Sequence, residues 1–465
     1  MEGFRPQALA LAVALCAAAP LAASEASKGL DAFARRFVSE SPDVRAGAVE
    51  DLSDLDDLEV TKRVANAAFK DAESMVNMAG VNVLSRLKDS KSIDWLLQTP
   101  LKSEKMQVRY LTVATLSRLS DPRLADRLLP CLDDPAWLVV ATAAQALGEK
   151  RASQARDGLV ALLGHKDQRV RIAAVDALGL LGDASVQGDL MKLLAADKEW
   201  RVKAALCEAL CRLKAVDAVP SLRNQLQKAE GRLKDDFSRA VCALVAVEAE
   251  AHKGGKPVEG VEAYDFHYEG IGSSSKRVVF LMDCSQSMDV QIGYSAKKVE
   301  LEEGCESTKL GVCQSELIRA LQQLQKTGGM FNIVFVHSQN DIWEKQLVPA
   351  TPEKVDQAVK HIKRQKASGR TNLCDALLAV LEIQDGGAVD LKPEDLKEAP
   401  DTVFVLSDGN PNDGKIKRQS DILEAVREFN RFARARIHGI GTGESGFLEE
   451  LAKQNGGTFV KKVEF

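Results

Sequence analysis

Val278-Val279-Phe280-Leu281-Met282-Asp283-Cys284-Ser285-Gln286-Ser287-Met288 decides how the second half of this chain is read. The apolar run Val278 to Met282 predicts a buried strand. Asp283, Ser285 and Ser287 follow it in D-x-S-x-S spacing, which puts three side-chain oxygens on the loop at the strand's carboxyl end. Thr371 and Asp408 stand in two further loop-like contexts, Gly369-Arg370-Thr371-Asn372 and Ser407-Asp408-Gly409. An all-oxygen set without His or Cys suits a small hard divalent cation, which takes about six oxygen ligands. Asp283 and Asp408 are its only carboxylates, so an ion held here keeps an affinity for an outside carboxylate. A plainer reading stands beside this one: Ser285 and Thr371 cap loops, and Asp408 before Gly409 forms a turn.

Around that stretch the texture alternates. Phe331 to Val336, Thr402 to Leu406, Ile437 to Ile440 and Thr458 to Val463 are further short strand-like runs. Leu310 to Leu324, Val355 to Ile362, Asp375 to Leu381, Ile422 to Phe432 and Phe447 to Gln454 read as amphipathic helices. Alternation of this kind predicts an α/β doubly wound fold, a mostly parallel central sheet with helices on both faces. Ligands of such sheets gather at the carboxyl ends of the strands, where Asp283 and Asp408 are expected.

The first half repeats itself. Val44, Val76, Val108, Val139, Val170 and Val202 recur every 31 or 32 residues, and Leu52, Leu84, Leu116, Leu147, Leu178 and Leu210 keep the same intervals. Between them Val170, Ala173, Ala174, Ala177, Leu178 and Leu181 follow the spacing of one buried helix face. Each unit reads as a helical hairpin that cannot bury its apolar face alone, so stacked units share one core. Residues 30–250 are thus expected to form an all-α solenoid of six repeats, closed by a helix over Phe237 to Val247. The Gly- and Ser-rich stretch 251–275 is read as a linker or leading strand.

Two resemblances follow from these residues. Openings such as Asp43-Val44-Arg45, Gln107-Val108-Arg109 and Arg169-Val170-Arg171, together with the Ala-Leu pairs Ala146-Leu147, Ala177-Leu178 and Ala209-Leu210, resemble HEAT-type repeats in the short form found in many bacterial proteins. The D-x-S-x-S stretch, Gly369 to Leu377, Val403 to Pro411 and Ile437 to Gly441 occur in the order of a von Willebrand factor type A (vWA) domain, placed at residues 276–465. That resemblance implies a Rossmann-like fold and a metal-ion-dependent adhesion site. Ser285, Ser287 and Thr371 would offer hydroxyls, and Asp283 and Asp408 would coordinate directly or through water. Mg2+ is the expected ion, with Mn2+ or Ca2+ able to substitute. Gln286 replaces the Gly often found between the serines and would narrow the mouth of the site.

Bulk properties set the frame. The chain has 465 residues, a formal charge of −5, 45% hydrophobic and 28% charged residues, which describe a globular multidomain protein with no nucleic-acid signature. Residues 1–24, with Arg5 before the apolar stretch Ala8 to Ala19 and small residues at Ala22 to Ser24, read as an export signal. That predicts a periplasmic or extracellular protein without an integral membrane segment after cleavage. Nine cysteines include Cys16 in that signal. Cys305 and Cys313 are the disulfide candidates, while Cys207 and Cys211 read as small buried hydrophobes. Asp375 is expected to begin a helix, and His337 and His438 to be structural. Trp137 and Trp200 are expected in packing roles.

The functional expectation is a non-enzymatic binding, adhesion or scaffold protein. Its metal takes a carboxylate of a protein partner, and the solenoid offers a second protein-binding surface. An assembly factor working with an AAA+ type ATPase is the alternative, which the export signal opposes. A metal-dependent hydrolase is a further one; the sequence shows no second metal cluster and no evident general base for it.

Overall fold

The computed structural model describes residues 25–251, 264–291, 301–381, 399–414, 416, 418–441 and 446–461. The export signal expected at residues 1–24 lies outside the described residues, as does the 252–263 part of the connector. The chain divides into two compact units, one reaching Val186 and one starting at Gln187.

Helices build the first unit: Glu25–Arg36, then Pro42–Glu50 and Leu58–Ala68, Ser74–Leu84 and Ser90–Gln98, Met106–Arg118 and Leu124–Leu128, Trp137–Glu149 and Arg156–Leu162, and Gln168–Leu181. The repeated positions behave as their spacing demands. Val76, Val108, Val139 and Val170 are buried, as are Leu52, Leu84, Leu116, Leu147 and Leu178. Val44 departs from the pattern at 37% exposed; a single helix, Glu25–Arg36, precedes its repeat where the later ones follow a hairpin. The Val-Arg openings have a physical role. Arg45 holds Asp71 through two bonds of 2.8 and 2.9 Å, and Arg109 holds Asp134 through two of 2.7 and 2.8 Å. Each guanidinium also donates to a carbonyl just before its own helix, Ser39 or Ser103. Bidentate pairs of this kind lock one loop to the next repeat. Asp57, Asp89 and Asp167 cap the helices that follow them. The Trp137 ring lies 3.5 Å from the Arg169 guanidinium, a packing role for both.

Helices Gln187–Ala196, Trp200–Arg212, Val219–Leu226 and Gly231–Ala251 open the second unit. A hairpin follows, β1 (Phe266–Tyr268) with β2 (Ile271–Ser273), in place of an edge strand of the main sheet. Its Tyr268 ring meets Phe280 at 5.1 Å and Phe404 at 5.4 Å, so the hairpin belongs to the core of the α/β fold. The main sheet contains β3 (Arg277–Asp283), β4 (Met330–Val336), β5 (Asp341–Ile342), β6 (Val348–Pro349), β7 (Thr402–Ser407), β8 (Arg436–Gly441) and β9 (Phe459–Lys461). Its order is β5-β4-β3-β7-β8-β9, with β6 also pairing β4. All pairs from β4 through β9 along this path are parallel; β5 and β6 run antiparallel to β4. These two strands of two residues each are too short to leave an alternating pattern in the sequence.

Both faces of β3 are covered, which is why its run is continuously apolar. Val278, Phe280 and Met282 join Leu317, Leu321 and Val355 from the helices Lys309–Thr327 and Pro352–Ile362. Val279 and Leu281 join Leu377, Val426 and Leu451 from Leu373–Val380, Gln419–Ala433 and Gly446–Gln454.

A buried polar network joins helix Gly231–Ala251 to the amino ends of the strands. Asp236 accepts from Arg232 Nε at 3.0 Å and pairs with Arg436 of β8. Arg232 donates to the Asp401 carbonyl at 2.7 Å, and Arg201 to the Ala433 carbonyl at 2.9 Å. Asp235 accepts from the Ser274 N–H at 2.9 Å. Ser273, Ser274 and Ser275, read from sequence as linker, are buried by these contacts.

The Cys305–Cys313 pairing is corrected: both are free thiols. Cys313 is turned into the apolar core beneath β3, with Cys305 packed at that core's margin. Among the described residues no helix is long and apolar enough to cross a membrane.

Candidate metal centre

The sheet order sets the site. β3 is connected onward to β4 on one side and lies beside β7 on the other, so the loops leaving β3 and β7 are neighbours at the carboxyl edge. Asp283 is the last residue of β3, and Asp408 follows Ser407, the last of β7.

The three loops are stitched by backbone. Cys284 N–H donates to the Val336 carbonyl at 2.9 Å, Ser368 N–H to the Cys284 carbonyl at 2.7 Å, and Gln286 N–H to the Gly369 carbonyl at 3.1 Å. Gly369 has φ +71°, and a Cβ there would meet Ser338 Oγ at 3.0 Å, so a side chain would be strained and crowded. Asn412 closes the third side: its Oδ1 accepts from Thr371 N–H at 3.0 Å, and its own N–H donates to the Thr371 carbonyl at 3.1 Å.

Four of the five expected residues form one string. The Ser285 and Ser287 hydroxyls lie 3.1 Å apart, and the Ser287 hydroxyl donates to Asp408 Oδ1 at 2.7 Å. Asp283 Oδ1 accepts from Ser285 N–H at 2.8 Å, and its Oδ2 from the Ser407 hydroxyl. Thr371 is buried, and its backbone is tied to Asn412; among the described residues no hydrogen bond links it to the other four. Gln286 and Ser287 are exposed at the mouth.

Electrostatics distinguish the carboxylates. Asp283 is 0% exposed, and burial, together with the charge of Asp408, raises its pKa despite the Ser285 and Ser407 hydrogen bonds. A positive charge against this buried carboxylate would reverse that penalty. Lys309 stands against the other carboxylate: its Nζ is 3.3 Å from Asp408 Oδ2. Among the described residues no cluster of three or more His, Cys, Asp or Glu is placed to hold a metal. The set here is two carboxylates with hydroxyls, a donor chemistry that fits a hard divalent ion and not a soft one.

Other residues fall outside the set. Asp375 lies in the first turn of Leu373–Val380, beneath the cap residue Asn372. His438 is buried, stacks on Phe404 and accepts from Thr458 N–H at 3.0 Å. His337 has a buried Nε2 without a hydrogen-bond partner among the described residues. Sequence reading missed Ser407, Asn412 and Lys309. The first two stand in the Ser407-to-Gly414 run, whose Asn, Gly and Pro content signals a structured turn; nothing local marks Lys309.

Residues 306–460 match the family model of the von Willebrand factor type A domain. The chain carries a vWA domain. That match includes Thr371 and Asp408 and starts after the β3 loop bearing Asp283, Ser285 and Ser287. Ahead of the vWA domain, residues 97–168, 125–211 and 156–237 match HEAT repeats in overlapping segments. Curated relatives include inter-alpha-trypsin inhibitor heavy chain 4 of Mus musculus, 28% identical over 207 residues, 43% of this chain and 19% of that protein. Heavy chain H1 of Mesocricetus auratus is 30% identical over 198 residues, 42% of this chain and 19% of that one. The chain spans about a fifth of the length of the curated relatives it matches. Among solved structures, a von Willebrand factor type A protein from Catenulispora acidiphila aligns with TM-score 0.30 and 20% identity, over 42% of this chain and 40% of its own.

Proposed function

We propose that this protein is a non-enzymatic, metal-dependent binding module. The vWA domain and the likeness to inter-alpha-trypsin inhibitor heavy chains support a protein-interaction role. One observation carries the finer reading: Asp283, Ser285, Ser287 and Asp408 lie in one hydrogen-bonded string, beside the loop of Thr371, at the carboxyl edge of two adjacent strands. Asp283, Ser285, Ser287, Thr371 and Asp408 would hold Mg2+, which, when bound, supplies a positive centre for a carboxylate on a protein partner.

The chain's own residues do the rest. Asp283, buried and hydrogen-bonded on both oxygens, is held rigid, while the exposed Ser287 faces the side from which a partner arrives. The helical repeats offer a second surface for a protein. The export signal supports a periplasmic or extracellular setting for this encounter. Calorimetric titration of Mg2+ and Mn2+ into the wild-type chain, beside Asp283→Ala and Thr371→Ala, tests the reading. Saturable binding lost in both variants is the expected result; equal binding by all three proteins would dismiss these residues as ligands.

A further inference from the structure

Lys309 begins the helix Lys309–Thr327, directly after its cap Thr308. A cation there faces the positive end of the helix dipole, where an acidic residue is favoured by several tenths of a kcal/mol. Helix stability therefore does not account for the lysine. Its location is nonetheless well determined by the chain. Lys309 N–H donates to the Val290 carbonyl at 2.9 Å, and Gln291 bridges Thr308, so the turn after Ser287 is fastened to the start of this helix. From that anchor the ammonium reaches Asp408 Oδ2 at 3.3 Å, while Ser287 engages Oδ1. The pair is sheltered, with side chains 20% and 6% exposed, so salt screens it less than a surface ion pair.

We infer that Lys309 is a built-in counter-cation of the metal centre, which a divalent ion must displace from Asp408 and which thereby sets a weak metal affinity. This rests on the metal reading proposed above. Two positive charges cannot share one carboxylate without repulsion, so the lysine and the ion act as competing ligands of Asp408. Metal occupancy is then favoured by an acidic partner, whose carboxylate offsets the excess positive charge that the ion and the displaced ammonium leave together.

The test is Mg2+ and Mn2+ calorimetry at low and high ionic strength on the full chain, Lys309→Met, Lys309→Gln and Lys309→Arg, with Asp408→Ala as the control for the site. Both neutral variants are expected to bind Mg2+ about tenfold more tightly than wild type, within the usual span of coupling between two ligands. Lys309→Arg is expected to stay near wild type. An unchanged Kd in both neutral variants, with wild-type binding intact and lost in Asp408→Ala, overturns the role of Lys309 and leaves the metal reading standing. Weaker binding in both neutral variants also overturns it, since Lys309 would then be positioning Asp408 for the ion. Absence of binding by wild type and neutral variants alike, with either ion, overturns the metal reading and this inference with it.

Discussion

The Ser287 hydroxyl donates to Asp408 Oδ1 at 2.7 Å, joining two residues 121 positions apart in sequence. The contact exists because β3 and β7 are parallel neighbours, with Met282 opposite Leu406, so their exit loops leave side by side. Every proposed property of the site depends on that adjacency.

Asp283→Asn separates the cost of the buried carboxylate from its use. Burial raises the pKa of Asp283, so its ionisation at neutral pH opposes folding. In chelator, Asp283→Asn is expected to melt at or above the wild-type temperature. With Mg2+ at about a hundred times its Kd, wild type gains roughly 2.7 kcal/mol and the variant gains none. Thermal melts in both conditions check this; a variant that still responds to Mg2+ would contradict it.

Asp236 is a structural charge. It lies between Arg232 and Arg436, all three buried, and those guanidiniums outweigh the burial that would otherwise raise its pKa. Asp236→Ala leaves them without their carboxylate and is expected to cost about 3–5 kcal/mol. Joint replacement by Arg232→Met, Asp236→Leu and Arg436→Met is expected to recover much of that loss, as apolar packing replaces ion pairing. Denaturant titration measures both, and a cost under about 1 kcal/mol for Asp236→Ala would show the network to be incidental.

His438 predicts an acid limb. Burial, followed by the charges of Arg436, Arg239 and Arg232, lowers its pKa well below the usual 6.5. Below that pH the unfolded state takes up a proton that the folded state refuses. This contribution to stability is therefore whole above pH 6.5 and falls as pH falls, by at most about 1.4 kcal/mol per pH unit. His438→Asn is expected to show a shallower decline between pH 7 and pH 5 in denaturant melts. Parallel profiles for the two proteins would sink the assignment.

At Gly148 two helices of the first unit approach closely. A Cβ there would lie 2.6 Å from Ala177 Cα, a backbone atom that cannot swing aside. Helix propensity favours Gly148→Ala by about 1 kcal/mol, whereas the overlap costs about 1–3 kcal/mol. Net destabilisation is expected, larger for Gly148→Val. A melting temperature raised in Gly148→Ala would mean that the helices separate at little cost.

Repeat spacing, strand alternation and the five proposed ligands were legible in the sequence because each depends on a local rule. A residue's face on a helix or strand follows from its period, which is why Val170 and Leu178 are buried as their 31-residue register implied. Val44 shows the limit of that rule, since its exposure depends on which element precedes its repeat. Tertiary structure alone decided the free thiols of Cys305 and Cys313, the burial of Asp236 between two arginines, and the ammonium of Lys309 beside Asp408. Those depend on how elements far apart in sequence dock, and side-chain reach and loop path leave no periodic trace in a sequence. Local chemistry thus proposed the oxygen donors, while docking decided what charge stands among those residues.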